Sequence, residues 1–171
     1  LGLVKGDRAA IICENRHEFA EVLFAVAKSG VLGVSLNYRL TPSKIAYTIK
    51  DSEPKIIFVQ DKFVPIISEV ASEIEHAPRL VVIGSGGDYE SLLAAYPSHE
   101  PQVEISEQDV YLLQYTTGTT GTPKGIELTH KNWINNCIIR LLVTRLQEGE
   151  VFLVVTPLFA VAGPGHFLGA C

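Results

Sequence analysis

Apolar positions recur along this chain in two alternating rhythms. Compact apolar runs at residues 8–13 (RAAIIC), 32–36 (LGVSL), 55–60 (KIIFVQ), 79–83 (RLVVI) and 110–115 (VYLLQY) have the length and β-branched content of buried strands. Between them the spacing widens to that of a helix face. Over residues 16–29, Phe19, Val22, Leu23, Val26 and Ala27 fall on one side of a helix, and Gly30 stops it. Residues 41–52 begin as a helix should, with Thr41 as N-cap and Pro42 at the first helical position, and must end before Pro54. Lys44 stands where Glu would complete a capping box. Residues 64–74 repeat the helical spacing. Thr129 then caps a helix to about residue 146, with Trp133, Ile134, Cys137, Ile138, Leu141 and Leu142 along its apolar side.

Strand, helix, strand and helix in succession predict right-handed crossovers and a mostly parallel sheet, an α/β fold with helices packed on the sheet. Glu14, Glu18 and Glu21 read as the solvated face of the first helix. Residues 151–155 (VFLVV) read as a final buried strand, followed by a turn and a helix start. The best loops are 84–87 and 96–102. The second is the expected boundary between a first α/β lobe, 1–100, and a segment 101–171.

With 171 residues, 47% hydrophobic and 8% aromatic, the chain can bury a real core, which excludes disorder. A net charge of −5 and no run of Lys or Arg exclude nucleic acid and anionic membranes as main partners. Cys13, Cys137 and Cys171 have no CxxC spacing and read as thiols in a reducing compartment, the cytoplasm. There is no secretory signal at the start. The last 21 residues lack Asp, Glu, Lys and Arg and are long enough to span a bilayer. Pro157, Gly163, Pro164, Gly165 and Gly169 interrupt them, so no transmembrane segment is expected. A soluble protein rarely stops in such a segment, so the chain is expected to be a piece of a longer one. His17, His76, His99, His130 and His166 match no zinc spacing, so no metal site is expected on them, and His130 beside an N-cap reads as structural.

One stretch stands apart. Thr116 to Gly125 packs five threonines, three glycines, a proline and a lysine into ten residues between strand-like segments. Glycines let backbone N–H groups turn toward an anion, threonines add hydroxyl donors and Lys124 adds a point charge, so the chemistry is that of a phosphate cradle. It is not the nucleoside-triphosphate P-loop. Pro123 stands where that motif needs Gly, Gly125 where it needs a hydroxyl, and Ile126-Glu127-Leu128 alternates like a strand. The loop therefore joins two strands.

The run Tyr115-Thr-Thr-Gly-Thr-Thr-Gly-Thr-Pro-Lys-Gly125, with Leu128-Thr129-His130-x-Asn132 after it, resembles the signature loop of the adenylate-forming superfamily: acyl-CoA synthetases, luciferase and peptide-synthetase adenylation domains. Residues 6–11, 30–42 and 156–163 are similar to acyl-CoA synthetase sequence in the same order, so the resemblance spans nearly the whole chain. It implies part of the large N-terminal domain of an ATP-dependent acid–CoA ligase. Thr116, Thr117, Gly118, Thr119, Thr120, Gly121 and Lys124 would hold the β- and γ-phosphates of ATP, with Thr122 and Pro123 shaping the loop. A carboxylic acid, a fatty acid first among the candidates, would become an acyl-adenylate and pass to CoA. The implied cofactors are ATP, Mg2+ and CoA. A homodimer is an open assembly.

Ala160 replaces the histidine of the family's Pro-Leu-Phe-His run, which bears on substrate preference and activity. The family's later Tyr-Gly-x-Thr-Glu and Thr-Gly-Asp segments and its C-terminal lysine domain are not among these residues, so no catalytic residue is assigned and the piece alone is expected to be inactive. An adenylation domain that loads a carrier-protein thiol, and a non-catalytic binding module on the same fold, remain alternatives.

Overall fold

The computed structural model describes residues 1–117, 121–145 and 147–168, without the side chains of Thr117 and Phe167. Six strands form one sheet in the order β4-β3-β1-β2-β5-β6. They are β1 (Arg8–Ile12), β2 (Leu32–Ser35), β3 (Ile56–Gln60), β4 (Arg79–Ile83), β5 (Val110–Thr117) and β6 (Pro123–Thr129). The first five run parallel, and β6 pairs antiparallel with β5 at the edge. The helices are α1 (His17–Ser29), α2 (Pro42–Ser52), α3 (Val64–Ser72), α4 (Tyr89–Ala95), α5 (His130–Thr144) and α6 (Ala162–Leu168).

Alternate side chains of β1 show why the sheet is buried on both faces. Ala9, Ile11 and Cys13 join a first core with Phe19, Val22, Leu23 and Val26 of α1, Tyr89 of α4 and Trp133 of α5. Ala10 and Ile12 join a second core with Ile45 and Ile49 of α2 and Ile67 and Val70 of α3. Crossover helices on both faces leave a central parallel strand no polar side, which is why its sequence is a continuous apolar run. Gly30 ends α1 in the left-handed conformation, at φ 69°. Thr41 occupies the N-cap of α2 as expected, but its hydroxyl makes no cap bond and meets Ser43 Oγ at 3.1 Å. At α5 the cap is complete: Thr129 Oγ1 accepts from the Asn132 N–H, and Asn132 Oδ1 accepts from the Thr129 N–H.

Three expectations are corrected. Residues 151–155 form no strand, and Val151, Leu153 and Val155 are 98%, 79% and 77% exposed. An apolar run favours burial, but a strand also needs a ladder partner, and among the described residues none pairs with it. On α5 only Trp133 of the six predicted core positions is buried, because the sheet meets that helix only near its start. Glu18 is not on a solvated face. It is 2% exposed, with both carboxylate oxygens accepting from Arg16 Nη2 and Nε at 2.5 and 2.9 Å. The Arg16 hydrogen bonds hold its carboxyl below the usual carboxylate range.

The stretch 96–102 runs between α4 and β5, and strands from both sides of it share the one sheet through the β2–β5 pairing. Neither Cys13 nor Cys137 is in a disulfide, and no helix among the described residues is long and apolar enough to cross a membrane.

Candidate functional site

The carboxyl ends of the parallel strands lie along one edge of the sheet, the edge where α/β folds bind ligands. β5 ends there in Tyr115, Thr116 and Thr117, and β6 returns from it. The two strands pair Tyr115 with Gly125, Thr116 with Lys124 and Thr117 with Pro123. The predicted strand-to-strand connection is therefore a hairpin. Pro123, which has no N–H to give, opens the edge strand, one of the few places in a sheet that accept it. Gly121 has φ 82°, a left-handed backbone that a side chain would strain.

Of the expected phosphate-binding residues, Thr116 and Lys124 face each other across the ladder, both exposed. Thr117 is placed by its backbone beside them, and exposed Gly121 lies on the β6 side of the turn. Gly118, Thr119 and Thr120 lie outside the described residues. Lys124 makes no hydrogen bond or ion pair among the described residues, so its ammonium is available to an anion. No residue from Thr116 to Gly125 is acidic. The hairpin thus presents donors and positive charge without an internal carboxylate.

Below the loop, the Tyr115 hydroxyl donates to Asp51 Oδ2 of α2 at 2.5 Å. Burial, and then this hydrogen bond, push the phenol's pKa up, so it stays a donor at neutral pH. A cleft of about 620 Å³ opens between α2 and β6, lined by Arg8, Tyr47, Asp51, Lys124 and Glu127 among others.

Several groups along the same edge carry no sequence signal, because their partners are far away in the chain. Asn15, after β1, clamps residues 156–158: its Nδ2 donates to Thr156 O at 2.9 Å and its Oδ1 accepts from Leu158 N at 2.8 Å. That brings Phe159 edge-on to Tyr38, at 4.9 Å between ring centroids, with the Arg39 guanidinium 5.6 Å from the Phe159 ring. Ala160 packs against the first core beside it. Gln60 Oε1 accepts from Glu14 N at 3.0 Å and from the Cys13 thiol, whose pKa burial raises to about 12. At the opposite, amino end of β5, His130 stacks on Tyr111 at 5.1 Å between ring centroids, and burial lowers its pKa. His17, Glu18 and Glu90 bring ligand atoms within 4.8 Å of one another, but both Glu18 oxygens already accept from Arg16.

A doubly covered parallel sheet with a threonine–glycine hairpin at its carboxyl edge defines the class, an α/β protein with its candidate anion site on a strand-to-strand loop. Within that class the chain belongs to the AMP-binding enzyme family, whose family model matches residues 1–171. It is 37% identical over 135 residues to the putative acyl–CoA ligase YdaB of Bacillus subtilis, covering 75% of this chain and 26% of that protein. It is 32% identical over 133 residues to the fatty acid–[acyl-carrier-protein] ligase ScoC of Streptomyces coeruleorubidus, covering 77% of this chain and 25% of that protein. Its fold matches the crystal structure of a putative long-chain-fatty-acid CoA ligase from Rhodopseudomonas palustris with a TM-score of 0.89 at 27% identity, over 99% of this chain and 43% of that one. The chain spans about a quarter of the length of these two curated relatives.

Proposed function

We propose that these residues are the N-terminal part of an AMP-forming acid–CoA ligase. Thr116, Thr117, Gly118, Thr119, Thr120, Gly121 and Lys124 are its cradle for the β- and γ-phosphates of ATP. A carboxylate oxygen of the acid attacks the α-phosphorus, and the bond to the bridging oxygen breaks with release of pyrophosphate. The acyl group then passes from the adenylate to the CoA thiol, and AMP leaves. In the first step negative charge grows on the leaving pyrophosphate, where threonine hydroxyls, backbone N–H groups and the Lys124 ammonium stabilise it. Mg2+ bound to ATP would supply further shielding of the phosphate charge. The loop itself holds no carboxylate for a metal and contributes only donors and the lysine charge. The observation that carries this reading is the hairpin pairing of Thr116 with Lys124, which has no side-chain partner among the described residues, at the carboxyl edge of a chain of the AMP-binding family.

Acyl-CoA and long-chain fatty-acid ligases among the similar proteins support a fatty acid as substrate. Residues 101–171 act as the loop-bearing segment of the domain, and the enzyme works in the cytoplasm, a reducing compartment that suits Cys13 and Cys137 outside any disulfide. Residues 1–171 by themselves give no turnover.

The test is ATP–pyrophosphate exchange by the full-length protein across a panel of carboxylic acids. Acid-dependent exchange should appear, and Lys124→Ala should lose ~2–4 kcal/mol of barrier stabilisation, comparable to removing one oxyanion donor. A folded protein with no exchange on any acid, or a Lys124→Ala variant that exchanges like wild type, sinks the proposal. The likeness to ScoC favours a second reading, transfer to a carrier-protein thiol. Supplying the preformed adenylate with CoA or with a phosphopantetheinyl carrier protein decides between the two acceptors.

A further inference from the structure

Tyr115 opens the loop sequence but is not one of the phosphate donors. Its half-buried ring packs toward the second core, on the α2 side of the sheet, and its hydroxyl reaches Asp51 in the last turn of α2, 64 residues earlier. Gly125 stands opposite it in the ladder. A Cβ on Gly125 would lie 3.3 Å from Tyr115 Cζ and 3.1 Å from Leu113 Cδ1, so the missing side chain is what lets the ring lie across β6. β6 is the edge strand, held by a ladder on one side only, and Lys124 to Glu127 are exposed. Besides β5, the strand that carries Lys124 meets α2 and the start of α5, and the Tyr115 ring is the group that touches Gly125 of β6 while its hydroxyl bonds to α2.

We propose that Tyr115, Gly125 and Asp51 form a latch that fixes the base of the phosphate loop to α2, making Tyr115 and Asp51 positioning residues for the triphosphate. The proposal rests on the phosphate reading of the loop. Thr116 and Lys124 lie one ladder step beyond the latch, about 3.3 Å along the strands. A ring that shifts on Gly125 therefore moves both donors. The latch touches no phosphate and acts only by limiting where the hairpin can sit, so its effect falls on ligands that reach the loop and not on those that stop at the α-phosphate.

The experiment measures calorimetric affinities of the full-length protein for Mg–ATP and for AMP. Tyr115→Phe keeps the ring and removes the hydroxyl. It should weaken ATP about 3- to 10-fold, the worth of one exposed hydrogen bond to a charged group, and leave AMP within about twofold. Asp51→Ala should do the same, and the double variant should be no weaker than the worse single. Asp51→Asn, whose amide oxygen can still accept the phenol proton but without the charge, should fall between wild type and Asp51→Ala. Lys124→Ala separates the two levels of the argument. If Lys124→Ala loses ATP affinity while Tyr115→Phe does not, the latch is wrong and the phosphate reading stands. Wild-type affinity in Lys124→Ala, or no ATP binding by the wild-type protein, removes the phosphate reading and the latch with it. Equal loss of ATP and AMP in Tyr115→Phe, or additive losses in the double variant, also overturns the latch.

Discussion

Replacing Gly33 with alanine tests how tightly the strand that carries the loop is seated. Gly33 lies on β2 directly opposite Leu112 of β5, and an added Cβ would meet Leu112 Cδ2 at 2.5 Å and Val26 Cγ2 at 3.1 Å. Leu112 is fully buried and Val26 sits on the buried face of α1, so neither side chain can swing into solvent. The overlap is relieved only if α1 or β5 moves. An overlap this close puts the excess methyl in the upper part of the overpacking range, ~2–3 kcal/mol, and replacing glycine returns ~0.4–1 kcal/mol through the unfolded chain, leaving a net loss of ~1–2.6 kcal/mol. Leu112→Val removes the clashing methyl at a cost of about 1 kcal/mol of its own. In the double variant the two losses should fall short of their sum by ~0.5–1.5 kcal/mol, since the change at Leu112 makes room for the one at Gly33. Native-state hydrogen exchange of β2 and β5 amides in the full-length protein reads these opening energies directly. ATP affinity measured alongside should weaken in Gly33→Ala and partly recover in the double variant. A neutral Gly33→Ala, or strictly additive losses, refutes the packing argument.

Three further outcomes follow from the buried polar groups. Arg16→Ala leaves the buried Glu18 carboxylate with only His17, 3.5 Å away, beside it and should lower the thermal unfolding midpoint, by less than breaking a fully buried pair because the Arg16 side chain is 38% exposed. Glu18 has a folded pKa below the ordinary 4.5, so the stability its ionised form contributes is complete above that pH and is lost as pH falls through the folded value. Glu18→Gln should therefore flatten the acid limb of unfolding below pH 4.5; an unchanged acid limb removes the assignment. Cys13, with its thiol pushed up to about 12 by burial, should resist iodoacetamide at pH 8 in the folded protein and react on unfolding, as peptide mapping would show.

Strands and crossover helices were legible because burying both faces of a parallel sheet demands continuous apolar runs, and the central strands β1 and β3 show it at nearly residue resolution. The hairpin was legible for another reason. Glycine, threonine, proline and lysine at that density have little use in a mere connection, and the antiparallel return after Pro123 appears as expected. Helix α4 escaped because seven residues are too few to show a helical period. Glu18 escaped because its burial depends on Arg16 folding back over it, a pairing that periodicity does not encode.

By itself, the sequence determined local elements, the alternation that makes the fold α/β, and the chemistry of the loop, since these depend on residue types and short spacings. Tertiary structure decided what meets what. It put Gly125 beneath the Tyr115 ring and Asp51 within 2.5 Å of its hydroxyl, clamped residues 156–158 with Asn15, and left Val151, Leu153 and Val155 exposed. The physical reason is common to all of these. Hydrophobicity and hydrogen-bonding capacity state that a residue needs a partner, but which partner is set by the register and crossing of elements many residues apart.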